Sequence, residues 1–324
     1  MNLIAGPDDE GRRLDRLLRK ALPHLPLSRI HRLLREGRVL VNGGAAAASL
    51  RGPPAALISL PGPAAPAPPA GQGGGGTVGR AAFPEILWKG RDLLALNKPA
   101  GLAVQGPGPA LDGLVREYLA DKLPPSLSFR PGPLHRLDRP TSGVIMFPLS
   151  LRGAQAFSGL LRDHRIVKRY LALAEGLIEG PETWEEDLFR DTGRRMTLPR
   201  REGEAYRRAL TRAAPLGSSR GRTLLLLELE TGRTHQIRAQ AALHGHPLAG
   251  DRKYGGGPLP GGLLLHALSL EFPVLDPEER RLYPETAEEL EGKTLCAPPP
   301  EGFFKVITGI LGSAAEVFRS GGLR

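Results

Sequence analysis

Between Ala45 and Arg80 the chain is dominated by Ala, Pro and Gly, including Pro61-Gly62-Pro63 and the run Gly73 to Gly76. Such a stretch offers little apolar surface to bury and reads as a flexible linker. It divides the 324 residues into separate folding units, and this limits the possible architectures more than any other feature. The four glycines do not form a phosphate loop, because no Gly-Lys-Ser/Thr follows and no strand precedes them. The expected organisation is a small domain over residues 1–48, a linker over 49–81, a large domain over 82–276 and a C-terminal extension over 277–324.

In the small domain Leu14, Leu17, Leu18 and Leu22 recur at helical spacing, with Arg12, Arg13, Arg16, Arg19 and Lys20 on the remaining surface. A second helix is predicted from a cap at Ser28, with Ile30, Leu33 and Leu34 apolar and Arg29, Arg32 and Arg35 recurring every three residues. Val39-Leu40-Val41 reads as a strand and Asn42-Gly43 as a tight turn. These basic faces match the whole chain, in which 44 Lys and Arg stand against 34 Asp and Glu. The net charge of +10 favours a polyanionic partner, nucleic acid first. A GC-rich genome produces the same abundance of Arg, Ala, Gly and Pro, so charge alone does not decide the function.

The single cysteine, Cys296, excludes an internal disulfide and a Cys-cluster metal site, fits a reducing compartment and reads as a bystander thiol. The acidic, polar start and the lack of an apolar run near the roughly 20 residues that span a bilayer lead us to expect an unprocessed cytoplasmic protein. Monomer is the default expectation for its oligomeric state.

From Phe83 to about Pro273 short strand-like runs predominate, among them Leu93 to Leu96, Val144 to Phe147, Val167 to Leu173, Leu224 to Leu229 and Leu263 to Phe272. Two helices stand out between them, Arg152 to His164 and Thr234 to His244 with Gly245 as its cap. Strands outnumber helices, which predicts an α+β fold. In the C-terminal extension Phe303 to Phe318 has the apolar spacing of one further helix.

Four segments carry chemistry. In His135-Arg136-Leu137-Asp138-Arg139-Pro140-Thr141-Ser142-Gly143 a loop delivers polar groups to the edge of an apolar strand. Asp138 is its single carboxylate among three cations or potential cations, a setting that favours the ionised, nucleophilic form. A loop salt bridge of Asp138 with Arg136 or Arg139 explains the same residues equally well. Thr231-Gly232-Arg233-Thr234-His235-Gln236-Ile237-Arg238 leaves a strand and enters a helix, placing Arg238 where its fork can orient a carboxylate such as Asp138. His235 and Gln236 are suited to RNA or to the neighbouring backbone. The histidines match no zinc spacing and are read as packing or surface groups, so neither a metal nor a cofactor is expected. Tyr170, on the strand Val167 to Leu173, presents either a ring for base stacking or a core side chain. Lys98, in Asn97-Lys98-Pro99-Ala100-Gly101, is either positioned by its turn or solvated.

Taken in order, these segments resemble the RluA-type pseudouridine synthase family. The same resemblance extends through Gly245-His246-Pro247-Leu248-Ala249-Gly250-Asp251, Tyr254-Gly255 and Leu265-His266-Ala267. It implies a catalytic domain built on a mixed or antiparallel sheet, with Asp138 as the catalytic residue. It also implies that Arg136 helps displace the target base, that Tyr170 stacks on it and that Arg238 pairs with the carboxylate. Arg12 to Gly43 is similar to an S4-like RNA-binding domain, a small α/β unit whose Arg29, Arg32 and Arg35 would meet RNA. The function implied is isomerisation of uridine to pseudouridine, in large-subunit ribosomal RNA or alternatively in tRNA. Pro140 stands where an acidic residue is frequent, and Gly203 to Leu210 matches the family's strand poorly.

Two rival readings account for part of the sequence. His235-x-x-Arg238 is shared with tyrosine recombinases, but no further Arg/His pair and no C-terminal nucleophilic Tyr stand at suitable spacing. A non-catalytic RNA-binding ribosome-assembly factor is the other, against which the presence of Asp138, Tyr170 and Arg238 speaks.

Overall fold

A computed structural model describes residues 1–53, 55–61 and 82–318. They fall into two compact units. One comprises Met1–Ala82, Val115–Gly132 and Ser150–Arg152, and the other Phe83–Leu114, Pro133–Leu149 and Gly153–Arg324.

The first unit begins with strand β1 (Asn2–Ile4), then helices α1 (Leu14–Ala21) and α2 (Leu27–Arg35), and then strands β2 (Leu40–Val41), β3 (Gly44–Ala45) and β4 (Leu57–Ser59). The strands form an antiparallel sheet in the order β1-β4-β2-β3. Leu14, Leu18, Ile30, Leu34 and Ile58 are buried in one core, each such side chain contributing about 1.5–3 kcal/mol. The apolar spacing of both helices is therefore what closes the unit. Asn42 and Gly43 both take positive φ (51° and 84°), the geometry of a two-residue hairpin turn. The second helix starts one step before its expected cap. Pro26 is the N-cap and no side chain caps the helix, because the Pro ring carries no acceptor atom for the free N–H groups of the first turn. Asp9 is fully buried, and its carboxylate accepts N–H bonds from Gly6, Leu127 and Ser128. Burial pushes its pKa up, but these bonds outweigh that and hold it below the usual carboxylate value.

The linker expected over residues 49–81 is corrected at its start. Leu57–Ser59 is strand β4, paired on both sides, because Ile58 fills the core among the alanines around it. The glycine run Gly73 to Gly76 lies outside the described residues.

The second unit is built on one mixed sheet. From Glu85 onward the elements are β5 (Glu85–Lys89), β6 (Leu93–Lys98), α3 (Leu111–Leu119), β7 (Ser142–Pro148), α4 (Leu151–Arg162), β8 (Val167–Glu175), β9 (Glu182–Asp191), β10 (Met196–Pro199), β11 (Tyr206–Ser219), β12 (Arg222–Leu229), α5 (Gln236–Leu243), β13 (Leu265–Glu271), α6 (Pro277–Leu282), α7 (Pro284–Leu290), β14 (Thr294–Cys296) and α8 (Glu301–Leu311), of which α3 from Val115 and α4 up to Arg152 fall in the first unit. The strand order is β10-β9-β11-β12-β8-β13-β7-β6-β5, with β14 beside β13. Among the described strands only the β13–β7 pair is parallel. β7 is buried along its whole length, as expected of an interior strand read as an unbroken apolar run.

The α+β fold with a mixed sheet matches the expectation. Several elements differ from the sequence reading. The sequence carries no sign of α3, β9 or β10, β11 begins within the stretch that matches poorly, and α5 begins at Gln236 because His235 is left-handed (φ 55°). The extension from residue 277 contributes more than one helix. β14 joins the sheet through β13, and Phe303, Phe304 and Ile307 of α8 enter the core beside Leu171 and Leu224. The helix read over Phe303 to Phe318 ends at Leu311 and continues as a 3-10 turn, Gly312–Phe318. Gly312 supplies the positive φ (59°) that terminates it. Among the described residues no helix is long and apolar enough to cross a membrane.

Candidate active site

The loop before β7 is fixed from beneath. Nε2 of His135 accepts the Met146 N–H at 3.0 Å and the ring stacks on Phe157, so this histidine serves structure. Burial and the nearby Lys168 charge push its pKa down to about 4. Thr141 N–H donates to the Asp138 carbonyl at 3.0 Å and closes the turn. At the loop's exit Ser142 Oγ meets Nδ1 of the buried His266 at 2.9 Å, while Nε2 of that ring meets the Ala297 carbonyl. Burial lowers the His266 pKa to about 4 as well. Gly143 follows at φ +116°, where a Cβ would lie 2.1 Å from the Ala267 carbonyl oxygen.

Lys98 is completely buried, which overturns its reading as a solvated turn residue. Its Nζ donates to the carbonyls of Pro99 (2.9 Å), Leu102 (2.8 Å) and Arg139 (3.3 Å). Burial lowers its pKa to about 8 against the opposing influence of the Asp138 charge. Arg139 Nε donates to Gly101 O and Gly101 N–H to Arg139 O, both at 2.8 Å, so turn and loop are stitched reciprocally.

The carboxylate and the arginine meet as the sequence suggested. Nη1 of Arg238 lies 3.2 Å from Oδ2 of Asp138. Arg136 and Arg139 make no recorded ion pair with Asp138 among the described residues; Arg136 is exposed and lines the cavity, and Arg139 is engaged with Gly101. The partner that sequence reasoning missed is Asp251. Its two oxygens take Nε and Nη2 of Arg238 at 2.7 and 2.8 Å, a two-point clamp with the Asp251 side chain 1% exposed. The guanidinium also lies 5.1 Å from the centroid of the Tyr254 ring. Only the fold brings Asp251 here, from a turn 13 residues beyond Arg238 whose sequence carries no sign of the contact.

The sequence suits His235 to RNA or backbone. Its Nε2 lies 3.8 Å from Asp138 Oδ2, and its Nδ1 is 2.9 Å from the Tyr254 hydroxyl, whose oxygen accepts the Thr197 N–H. Burial lowers its pKa to about 4, with the Asp138 charge opposing. Gln236 serves the backbone, donating to Leu210 O and accepting the Arg233 N–H.

Asp138, Arg136, Tyr170 and Arg238 border a cavity of about 420 Å³. Tyr170 is 9% exposed, and burial followed by the Asp138 charge pushes its phenol above the ordinary value. Lys168, which sequence reasoning did not single out, also lines the cavity, with its pKa lowered to about 8 by burial and by Arg233. Arg29, Arg32 and Arg35 are exposed on α2 in the other unit and do not line this cavity; Arg32 pairs with Glu36 at 2.6 Å. The arrangement can hold an oriented carboxylate beside an aromatic ring, in a space large enough for a nucleobase and its sugar.

The model of the RNA pseudouridylate synthase family matches residues 92–243. A ribosomal large subunit pseudouridine synthase D of Xylella fastidiosa is 28% identical over 95% of this chain and 92% of its own. The tRNA pseudouridine synthase C of Vibrio cholerae is 32% identical over 53% of this chain and 75% of its own. The structure of human RNA pseudouridylate synthase domain containing 1 shares the fold, with a TM-score of 0.54 at 23% identity over 74% of this chain and 95% of its own. An RNA pseudouridine synthase of Chloroflexus aurantiacus is 33% identical over 78% of both chains, and with that the chain belongs to the RNA pseudouridine synthase family.

Proposed function

We propose that Asp138 is the catalytic carboxylate of this isomerase, that Arg136 displaces the target uracil, that Tyr170 stacks on it and that Arg238 orients the carboxylate. Conversion of uridine to pseudouridine breaks the bond from N1 to C1′, turns the uracil while it stays bound, and joins C5 to C1′. The hydrogen on C5 is lost and N1 gains one, so neither redox change nor hydrolysis occurs. A carboxylate assists by attacking or stabilising C1′, by adding to the base or by taking a proton. Extracting the base from its stack costs a few kcal/mol, which phosphate contacts and stacking on Tyr170 offset. The observation that carries the reading is the contact of Asp138 with Arg238, itself clamped by Asp251, beside Tyr170 in one cavity. A recombinase would leave this carboxylate pair around His235 and Arg238 without a task.

The proposed substrate is large-subunit ribosomal RNA, met in the cytoplasm. The likeness to one large-subunit enzyme runs over 95% of the chain, while three others match over 54%, close to the 53% of the tRNA enzyme. We read α1, α2 and the β2–β3 hairpin as an S4-like RNA-binding arm in which Arg29, Arg32 and Arg35 face the phosphates. In support, all three are exposed and the opposite sides of both helices are buried.

Purified Asp138→Asn and Asp138→Ala should bind transcribed ribosomal RNA and form no pseudouridine; undiminished formation overturns the assignment. If neither the wild type nor the variants modify RNA they bind, the non-catalytic reading replaces it. Mapping pseudouridines in total RNA with and without the gene distinguishes a ribosomal from a tRNA target.

A further inference from the structure

A second depression, of about 270 Å³, adjoins the catalytic cavity and shares Gly232, Arg233 and Thr234 with it. Three arginines, Arg190, Arg207 and Arg233, are among its lining residues. The register of the sheet explains their convergence. Leu188 opposes Arg207, and Arg190 opposes Thr197. Directly opposed residues share a face, as do residues two apart on one strand, so Leu188, Arg190, Thr197 and Arg207 all look the same way. Leu188 packs with Ala239 and Tyr254, which sets that face towards α5 and the loop that carries Arg233.

Arginines on the neighbouring surfaces are neutralised. Arg208 pairs with Glu185, Arg212 with Glu228 and Arg222 with Glu175. Among the described residues Arg190, Arg207 and Arg233 form no ion pair with a carboxylate. The Arg233 guanidinium donates instead to the Arg208 carbonyl at 3.0 Å. Its pKa is lowered by burial and then by the charge of Arg207, so the two cations feel one another. Like charges gathered in this way are unfavourable until an anion joins them, and guanidinium forks match phosphate oxygens.

We infer that this depression is a phosphate subsite, holding the backbone phosphate of a nucleotide next to the one in the catalytic cavity. The inference rests on RNA being the substrate, and it adds where the strand runs as it leaves the site. Held there, the phosphate fixes the strand while the adjoining base is out of its stack.

The test is the salt dependence of binding of a labelled single-stranded oligouridylate to the full chain, which needs no turnover. Arg190→Gln/Arg207→Gln should weaken binding about tenfold at low salt. It should also reduce the slope of log K against log salt by about 0.7, the value for one phosphate contact on a single strand. Arg212→Gln/Arg222→Gln removes the same charge from ion-paired sites and controls for net charge; it should leave the slope as in the wild type. Equal slopes for the two double variants overturn the subsite. Absence of pseudouridine formation by the wild type would instead overturn the catalytic reading, and the slopes would still report on the depression.

Discussion

Asp251→Asn removes one negative charge and almost no volume from beneath Arg238, and its consequences follow from the geometry. Arg238 and Asp251 are 7% and 1% exposed in their side chains, and their two bonds measure 2.7 and 2.8 Å. Removing one partner of a buried ion pair costs about 3–5 kcal/mol. Asparagine keeps one acceptor oxygen, and Asp138 remains beside Nη1 at 3.2 Å, so the lower end, about 3 kcal/mol, applies. For a body of this size that lowers Tm by roughly 6–12 °C, at about 2–4 °C per kcal/mol. The guanidinium should turn towards Asp138, its one remaining carboxylate, and a displacement near 1 Å at a reacting group costs on the order of 100-fold in rate. Turnover is read from tritium released by RNA carrying 5-tritiated uridine, and stability from thermal unfolding of the same preparations. Arg238→Gln supplies the second arm of a cycle, because Asp251→Asn should cost little once the guanidinium is gone. A Tm within 2 °C of the wild type, turnover within about threefold, or full additivity in the cycle would refute the clamp.

Three further outcomes are expected. His135 and His266 have folded pKa values near 4, below the unfolded 6.5, so unfolding takes up protons between those values and stability falls as pH drops through the window. Unfolding at pH 5 should bind close to two protons through this pair and a further one through His235, whose pKa is also lowered to about 4, so urea unfolding should show stability rising by about 2–4 kcal/mol from pH 5 to 6; a flat profile sinks this reading. Tyr170→Phe should keep affinity for RNA, whereas Tyr170→Ala loses about 1–3 kcal/mol of stacking; equal affinities in a binding titration would remove the ring from contact with the base. Arg136→Ala, at an exposed position, should move unfolding by no more than about 0.5 kcal/mol while slowing pseudouridine formation, and unimpaired turnover would exclude Arg136 from the reaction.

What was legible in the sequence follows from what each element buries. α1 and α2 each bury one face, and β7, β8 and β13 bury nearly everything, so their apolar patterns announce them. β9 reads Glu-Thr-Trp-Glu-Glu-Asp-Leu-Phe-Arg-Asp and lies near the sheet's edge, where only Trp184, Leu188 and Phe189 are buried. Charged residues there hide a strand that backbone pairing and three buried side chains secure. β4 is hidden for a different reason, since three residues centred on Ile58 suffice for pairing within a stretch of otherwise linker-like composition. In the site, Asp138, Tyr170 and Arg238 sit in distinctive local contexts, so their residue types were readable. Asp251 and the burial of Lys98 were not, because both are consequences of strands and turns brought together from distant parts of the chain.

Between the strand that receives the Asp138 loop and the one that launches Arg238 lie two others, giving the order β12-β8-β13-β7. At about 4.8 Å per step the sheet itself acts as the ruler that sets how far apart the two groups are carried. Gly143 sits on the β13–β7 seam, and any side chain there would have to wedge the seam open against the Ala267 backbone. A methyl group at that one position would lengthen the ruler at its last division, and the carboxylate would move away from its arginine although neither residue had been altered.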